Sequence, residues 1–292
     1  MIEDLIQIAK RPLGYGSDGR NIDVFDDDTF LVSFPKSGGI WTRFLLANLL
    51  YPQEPVSFRN IDRLIPELEF AKRRMLKRMS CPRLLSSHEY FDPRYRKVIY
   101  LVRDAREVAR SQFRHQRALR RIGDKRLAGN HAIEQFVTSF IAGDGSDYGS
   151  WGDHVSSWLV PRQNANDFLL LRYEDMEAQT GLELARVAEF LGMKASQDSI
   201  AQAVERSSAV QLSELEGDER SASADDSSGH DLAVGRPGAA GSWREGLPET
   251  CIADLETAWG PLMKWLGYEL ALAKDHEARA RVEPVSPGAP AR

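Results

Sequence analysis

Cysteine is almost absent: 292 residues hold two, Cys81 and Cys251, far apart and with no C-x-x-C spacing. That excludes a disulfide framework and a cysteine-built zinc ribbon, and leaves two free thiols. No apolar run approaches the roughly 18 residues that a membrane-spanning helix needs. The opening Met1-Ile2-Glu3-Asp4 carries acids where a secretory leader carries positive charge, so a cytoplasmic location and no membrane partner are expected. Basic charge is not in excess, with 38 Lys and Arg against 43 Asp and Glu and a net charge of -5. A surface given over to nucleic acid is therefore not expected. None of the 6 histidines belongs to an H-E-x-x-H pair, and no metal is expected. What is present, 42% hydrophobic and 28% charged residues, is the composition of a globular domain long enough for a sizeable core.

Three apolar runs alternate with helical patterns. Phe30-Leu31-Val32-Ser33-Phe34 ends at Pro35-Lys36-Ser37-Gly38-Gly39, so a buried strand enters a glycine turn. From Trp41 to Tyr51 the apolar residues Trp41, Phe44, Leu45, Leu49 and Leu50 keep helical spacing, with Pro52 as the stop. Lys97-Val98-Ile99-Tyr100-Leu101-Val102 precedes a helix from Ala105 to about Arg120, with Asp104 and Glu107 spaced as a capping box. Phe168-Leu169-Leu170-Leu171 stops at Arg172, and Thr180 opens a further helix that ends at Gly192. Near-continuous apolar strands separated by helices indicate an α/β fold with a parallel sheet covered on both faces. Ligands then bind at the carboxyl ends of the strands. The boundaries expected are a single domain over residues 1–280, containing a mobile Gly/Ser/Asp-rich loop over about 216–242, and a disordered tail over 281–292. The basic insert 62–83 reads as a surface helix with a connecting loop.

A glycine loop between a buried strand and a helix offers backbone N–H groups and the positive end of a helix dipole, and Lys36 adds a full charge. That combination suits phosphate. The order G-x-x-x-x-G-K-[ST] of nucleotide triphosphatases is absent, because Lys36 precedes Ser37-Gly38-Gly39. On this segment alone a βα turn with no ligand is an equal reading. Arg103, at the end of the second strand, offers a fork-shaped phosphate ligand, Ser111 lies two helical turns further on, and Arg236 sits in a glycine-rich segment. Cations on three loops favour a doubly phosphorylated ligand.

Taken in order, four segments resemble signatures of the sulfotransferases that use 3′-phosphoadenosine 5′-phosphosulfate (PAPS) and release 3′-phosphoadenosine 5′-phosphate (PAP). They are Pro35-Lys36-Ser37-Gly38-Gly39-Ile40-Trp41, Val98-Ile99-Tyr100-Leu101-Val102-Arg103-Asp104 with Ser111, Tyr173-Glu174-Asp175-Met176, and Arg236-x-Gly238-x-x-Gly241-x-Trp243. The resemblance implies a P-loop-kinase-like sulfotransferase fold, a central parallel sheet flanked by helices, with PAPS as donor and no metal. It implies Lys36, Ser37 and Gly38, helped by the amides of Gly39 and Ile40, on the 5′-phosphosulfate. Arg103 and Ser111 would hold the 3′-phosphate, Trp41 would stack near the adenine, and Tyr173 and Ser208 would line the adenine side. Arg236 and Gly238 would close over the 3′-phosphate when the preceding loop orders. His88, in Leu84-Leu85-Ser86-Ser87-His88-Glu89, falls where the family keeps its general base, and Lys36 would stabilise charge on the leaving phosphate oxygen. The implied acceptor is a hydroxyl of a small molecule, glycan or natural product.

The chain departs from the family at named positions. Gly39 and Ile40 stand where many members carry two threonines, Ser86 replaces a lysine two residues before the histidine, and Ala209 replaces an aromatic on the adenine side. A non-catalytic nucleotide-binding protein on a decayed sulfotransferase fold therefore stays open as an alternative, and a P-loop-type nucleotide kinase is another, with the absent G-x-x-x-x-G-K-[ST] order counting against it. The acceptor pocket is expected in the inserts 51–81, 113–158 and part of 216–242. The basic stretch Lys72-Arg73-Arg74-x-x-Lys77-Arg78 reads as a solvated face, or else as a preference for an anionic acceptor. The sequence does not fix the oligomeric state.

Overall fold

Four short strands form one sheet. They are β1 (Thr29–Ser33), β2 (Leu84–Ser87), β3 (Lys97–Val102) and β4 (Phe168–Arg172), all parallel, in the spatial order β2-β1-β3-β4. The structure, a computed structural model, describes residues 22–119, 131–144, 146–222 and 240–271. The pleat explains the unbroken apolar runs: Phe30, Val32, Val98, Tyr100 and Val102 enter one buried cluster, while Leu31, Ile99, Leu101 and Leu171 enter another on the opposite face. With both faces covered, β1 is buried throughout, and the polar residues that stay partly exposed, Lys97 and Arg172, lie at strand ends.

The helices in chain order are α1 (Gly39–Leu50), α2 (Ile61–Leu64), α3 (Arg73–Leu76), α4 (Ala105–Leu119), α5 (Ala132–Ala142), α6 (Trp151–Arg162), α7 (Tyr173–Ala178), α8 (Thr180–Leu191), α9 (Gln197–Arg206), α10 (Ala209–Ala222), α11 (Trp243–Gly246) and α12 (Glu249–Trp265). The α/β reading holds, and the helices foreseen after β1 and β3 begin at Gly39 and Ala105. At the amino ends of β1 and β2, Arg83 Nε and Nη2 donate to the two carboxylate oxygens of Asp28 at 2.8 and 2.5 Å. This buried fork ties the two strands together on the side away from the loops.

Three expectations are corrected. The insert 62–83 is not one surface helix: it holds the single turns α2 and α3, separated by a segment that bridges β2 at Glu67 and Ser86. Asp104 and Glu107 do not form a capping box. The Asp104 amide donates to Glu174 Oε1, and Glu107 Oε1 accepts from the amide of Trp243. The loop placed at 216–242 begins as helix, since α10 runs to Ala222, while 223–239 and the tail 281–292 lie outside the described residues. Among the described residues no helix is long and apolar enough to cross a membrane, Cys251 is buried and Cys81 exposed.

Candidate active site

The loop from β1 to α1 is strained and tight. Lys36 has φ 69°, the left-handed region, and Gly38 has φ 100°. A Cβ at Gly38 would stand 2.4 Å from Cδ2 of Tyr173, so glycine is required there by conformation and by space. Ser37 is buried, and its hydroxyl has no hydrogen-bond partner among the described residues. A buried hydroxyl with no internal partner, in a glycine loop, is suited to a polar ligand. Gly39 opens α1, and a Cβ on it would meet Ser33 Oγ at 3.4 Å.

Arg103, at the end of β3, folds back over this loop. Its guanidinium lies 4.2 Å from the Tyr173 ring centroid, Nη1 donates to the Lys36 carbonyl at 3.4 Å, and Nη2 is 3.9 Å from Glu107 Oε2. Tyr173 is fully buried, its hydroxyl has no partner among the described residues, and burial raises its pKa well above the ordinary phenol value. Trp41 packs edge-on to Tyr173 at 5.6 Å and donates Nε1–H to the Ser207 carbonyl at 3.0 Å. Ser208, one residue on, accepts from the Gln211 amide at 3.4 Å. The structure thus brings Lys36, Ser37, Gly38, Trp41, Arg103 and Tyr173 into one contiguous group, with Ser208 at its edge.

Two assignments are not joined to it. Ser111 lies half-buried on α4 and makes no hydrogen bond to Lys36 or Arg103 among the described residues. Arg236 and Gly238 fall outside the described residues, but the chain that follows them docks beside the group. The Ala240 amide donates to Glu177 Oε2 at 2.9 Å, Ser242 Oγ to Glu107 Oε2 at 2.9 Å, and Arg110 Nη1 to Ser242 Oγ at 2.7 Å.

His88 follows β2 and is held from several sides. Its Nδ1 is 2.6 Å from the Ser33 carbonyl, which fixes Nδ1 as the protonated nitrogen, and its amide donates to Glu69 Oε1 at 2.5 Å. Nε2 points at Glu67 Oε1, 3.4 Å away, and the Tyr148 ring lies 5.6 Å from the imidazole. Burial by itself would lower the imidazole pKa, but the hydrogen bond and charge of Glu67, then the charge of Glu69, raise it to about 9. Burial works to raise the Glu67 pKa, yet His88 and Arg43 hold it below the usual value, whereas Glu69 is pushed up by burial.

His154 on α6 supports the same loop. Burial drives its pKa down to about 3, so it is neutral, donating Nε2–H to the His88 carbonyl at 2.9 Å and accepting the Tyr100 hydroxyl at Nδ1, also at 2.9 Å.

Sequence reading passed over Glu67, Glu69 and Arg43. The available signal was the alternation Glu67-Leu68-Glu69 after Pro66, with Leu68 fully buried, which is the pattern of an edge strand. The basic stretch faces elsewhere: Lys72, Arg74 and Arg78 line a cavity of about 560 Å³ with Tyr51, Met75 and Met79. Tyr51 caps the far end of α1 from the glycine loop, so those cations do not surround His88.

The sulfotransferase domain model matches residues 26–267. Among curated proteins the chain is 30% identical over 196 residues to sulfotransferase 2B1 of Mus musculus, covering 63% of this chain and 56% of that protein. It is 28% identical to the amine sulfotransferase of Oryctolagus cuniculus, covering 62% and 61%. The alignments therefore span less than two thirds of the length of these relatives. Among solved structures, mouse sulfotransferase SULT7A1 complexed with PAP superposes with a TM-score of 0.65 at 25% identity, covering 84% of this chain and 88% of that one. A retinol dehydratase complex with androsterone and PAP shares the fold, with a TM-score of 0.64 at 18% identity. The match sets the nucleotide-kinase reading aside: by sequence over most of its length and by fold, the chain belongs to the sulfotransferase domain family.

Proposed function

We propose that this chain, as a single domain, transfers the sulfuryl group of PAPS to a hydroxyl of a small-molecule or glycan acceptor, releasing PAP. The observation that carries the reading is the convergence of two things at the carboxyl ends of β1, β2 and β3. One is a glycine loop with a buried, unpaired Ser37 hydroxyl. The other is a histidine whose Nδ1 is pinned 2.6 Å from the carbonyl of Ser33, two residues before the loop begins at Pro35.

The residues fit the donor. The missing Cβ at Gly38 lets the Tyr173 ring close on the loop, the Ser37 hydroxyl is buried without a partner among the described residues, and Arg103 and Lys36 supply positive charge beside it. Lys36, Ser37, Gly38 and the amides of Gly39 and Ile40 would take the 5′-phosphosulfate. Arg103, with Ser111, Arg236 and Gly238, would take the 3′-phosphate, while Trp41, Tyr173 and Ser208 would border the adenine. In the transfer the acceptor oxygen bonds to sulfur, the bond from sulfur to the phosphate oxygen breaks, and its electrons stay on the phosphate. Lys36 stabilises that developing charge, and neutral His88 takes the hydroxyl proton at Nε2. Glu67 faces the imidazole and Glu69 holds the His88 amide beside it, which favours an uncharged or cationic acceptor over an anionic one.

Calorimetric titration with PAP, against adenosine 5′-phosphate as the control without the 3′-phosphate, tests the donor site. Micromolar or tighter binding that depends on the 3′-phosphate is expected, and its absence would overturn the reading. Lys36→Ala and His88→Ala should each lose about 100-fold or more in turnover while staying folded.

A further inference from the structure

We infer that Glu67, anchored by Arg43, is a positioning residue that occupies His88 Nε2 in the resting protein, so that an acceptor hydroxyl has to displace a carboxylate to reach the base. The inference rests on the reading of His88 as the proton acceptor and adds a competitor for its reactive nitrogen.

The anchor is specific. Arg43 leaves α1 one turn after the glycine loop and is 3% exposed. Its Nε and Nη2 donate to the Ile65 carbonyl at 2.9 and 2.6 Å, Nη2 also to Asp62 Oδ1 at 2.5 Å, and Nη1 to Glu67 Oε2 at 3.1 Å. With one carboxylate oxygen held by Arg43, the other is left to face Nε2. A bare lone pair on Nε2 at 3.4 Å from a carboxylate oxygen would be repelled. The stable resting arrangement therefore places a proton between them, giving an imidazolium and a carboxylate. Nδ1 offers no alternative site, since it is committed to the Ser33 carbonyl.

The groups that face this imidazole come from every element around it. The edge segment after α2 contributes Glu67 and Glu69, the stretch before α6 contributes Tyr148, and α6 contributes the neutral His154 through the His88 carbonyl. Lys36 is the cation of the neighbouring loop. Glu69 also accepts from Ser87 Oγ at 3.2 Å, so its role is to hold the backbone, and Glu67 is the carboxylate directed at the reactive nitrogen.

The consequence is a rate that rises with pH until the imidazole is neutral. In the native protein the acid limb of kcat/KM for an alcohol acceptor should lie near pH 9, the value the Glu67 and Glu69 carboxylates impose on His88. Glu67→Gln keeps the shape and an oxygen for Arg43 but removes the charge. It should move the limb towards the ordinary histidine value of about 6.5 and raise kcat/KM at pH 7 by about tenfold, the gain in neutral imidazole offset by its weaker basicity. Carbon-13 NMR titration of His88 in both proteins reads the same shift without turnover, and so separates tuning from loss of fold. His88→Ala, assayed alongside, separates the two ideas. If it sulfates normally, the reading of His88 as base fails. If it is inactive while Glu67→Gln keeps the native limb and the native NMR titration, the inference about Glu67 is overturned.

Discussion

Two facts meet at Gly38, its φ of 100° and the Tyr173 ring 2.4 Å from where a Cβ would stand. Alanine must adopt a conformation that costs about 1–2 kcal/mol and must also push back the ring on which Arg103 lies. We expect Gly38→Ala to lower the melting temperature by a few degrees and to weaken PAP binding at least tenfold. Thermal unfolding with and without PAP checks both, and unchanged binding would mean that the ring and Arg103 play no part in the site. At this scale the sequence was most informative where chemistry demands one residue type. Lys36, Gly38, Trp41, Arg103 and Tyr173 were legible because each lies directly after an apolar strand or in the turn or helix that follows it. Glu67 and Arg43 were not, because nothing in a single Glu or Arg says which distant side chain it will face. The pairing exists only once the segment after α2 lies against β2.

At the scale of elements, the amino end of α4 acts as a dock. Glu107 was legible as a helix-start residue, but the structure turns its carboxylate away from its own helix, to accept the Trp243 amide at 2.8 Å and the Ser242 hydroxyl. Arg106 stacks 3.7 Å from the Trp243 ring centroid. The end of the segment containing Arg236 and Gly238 is thereby fixed beside Arg103. Glu107→Ala removes the acceptor for two donors, one of them a buried amide, at a cost of about 1–3 kcal/mol. We expect it to weaken PAP binding while binding of adenosine 5′-phosphate changes little, which paired titrations would reveal. An equal loss for both ligands would instead mean a general loosening of α4. The strands β1, β3 and β4 and the helices α1, α4 and α8 were legible from apolar runs and spacing, whereas α5, α6, α9, α10 and the 17-residue α12 were not singled out. The short turns α2, α3 and α11 were not, because at 4 residues each they carry no periodicity of their own.

For the molecule as a whole, two histidines joined through the His88 carbonyl pull stability in opposite directions with pH. His88, with a folded pKa raised to about 9, contributes stability that is complete below its ordinary value of about 6.5 and is lost as pH rises through 9. His154, depressed to about 3, contributes stability that is present above about 6.5 and is lost as pH falls through 3. Each can add a slope of up to about 1.4 kcal/mol per pH unit in its window. The melting temperature should therefore pass through a maximum near neutrality, and His88→Ala should flatten the alkaline side only. Melting curves from pH 4 to 10 test this, and an alkaline limb that survives His88→Ala would assign it to other groups. The architecture itself was readable in outline, because a buried parallel sheet leaves an unbroken apolar signature. The acceptor was not, since the inserts 51–81, 113–158 and 216–242, where its pocket is expected, carry no chemical signature.

Ser33 links the glycine loop to the base. Its carbonyl holds the imidazole of His88, and its hydroxyl lies 3.4 Å from where a Cβ on residue 39 would be. A side chain placed at 39 would rest against the residue that aims the base. The first turn of α1 and the imidazole therefore share one support, and a change at either end of it is felt at the other.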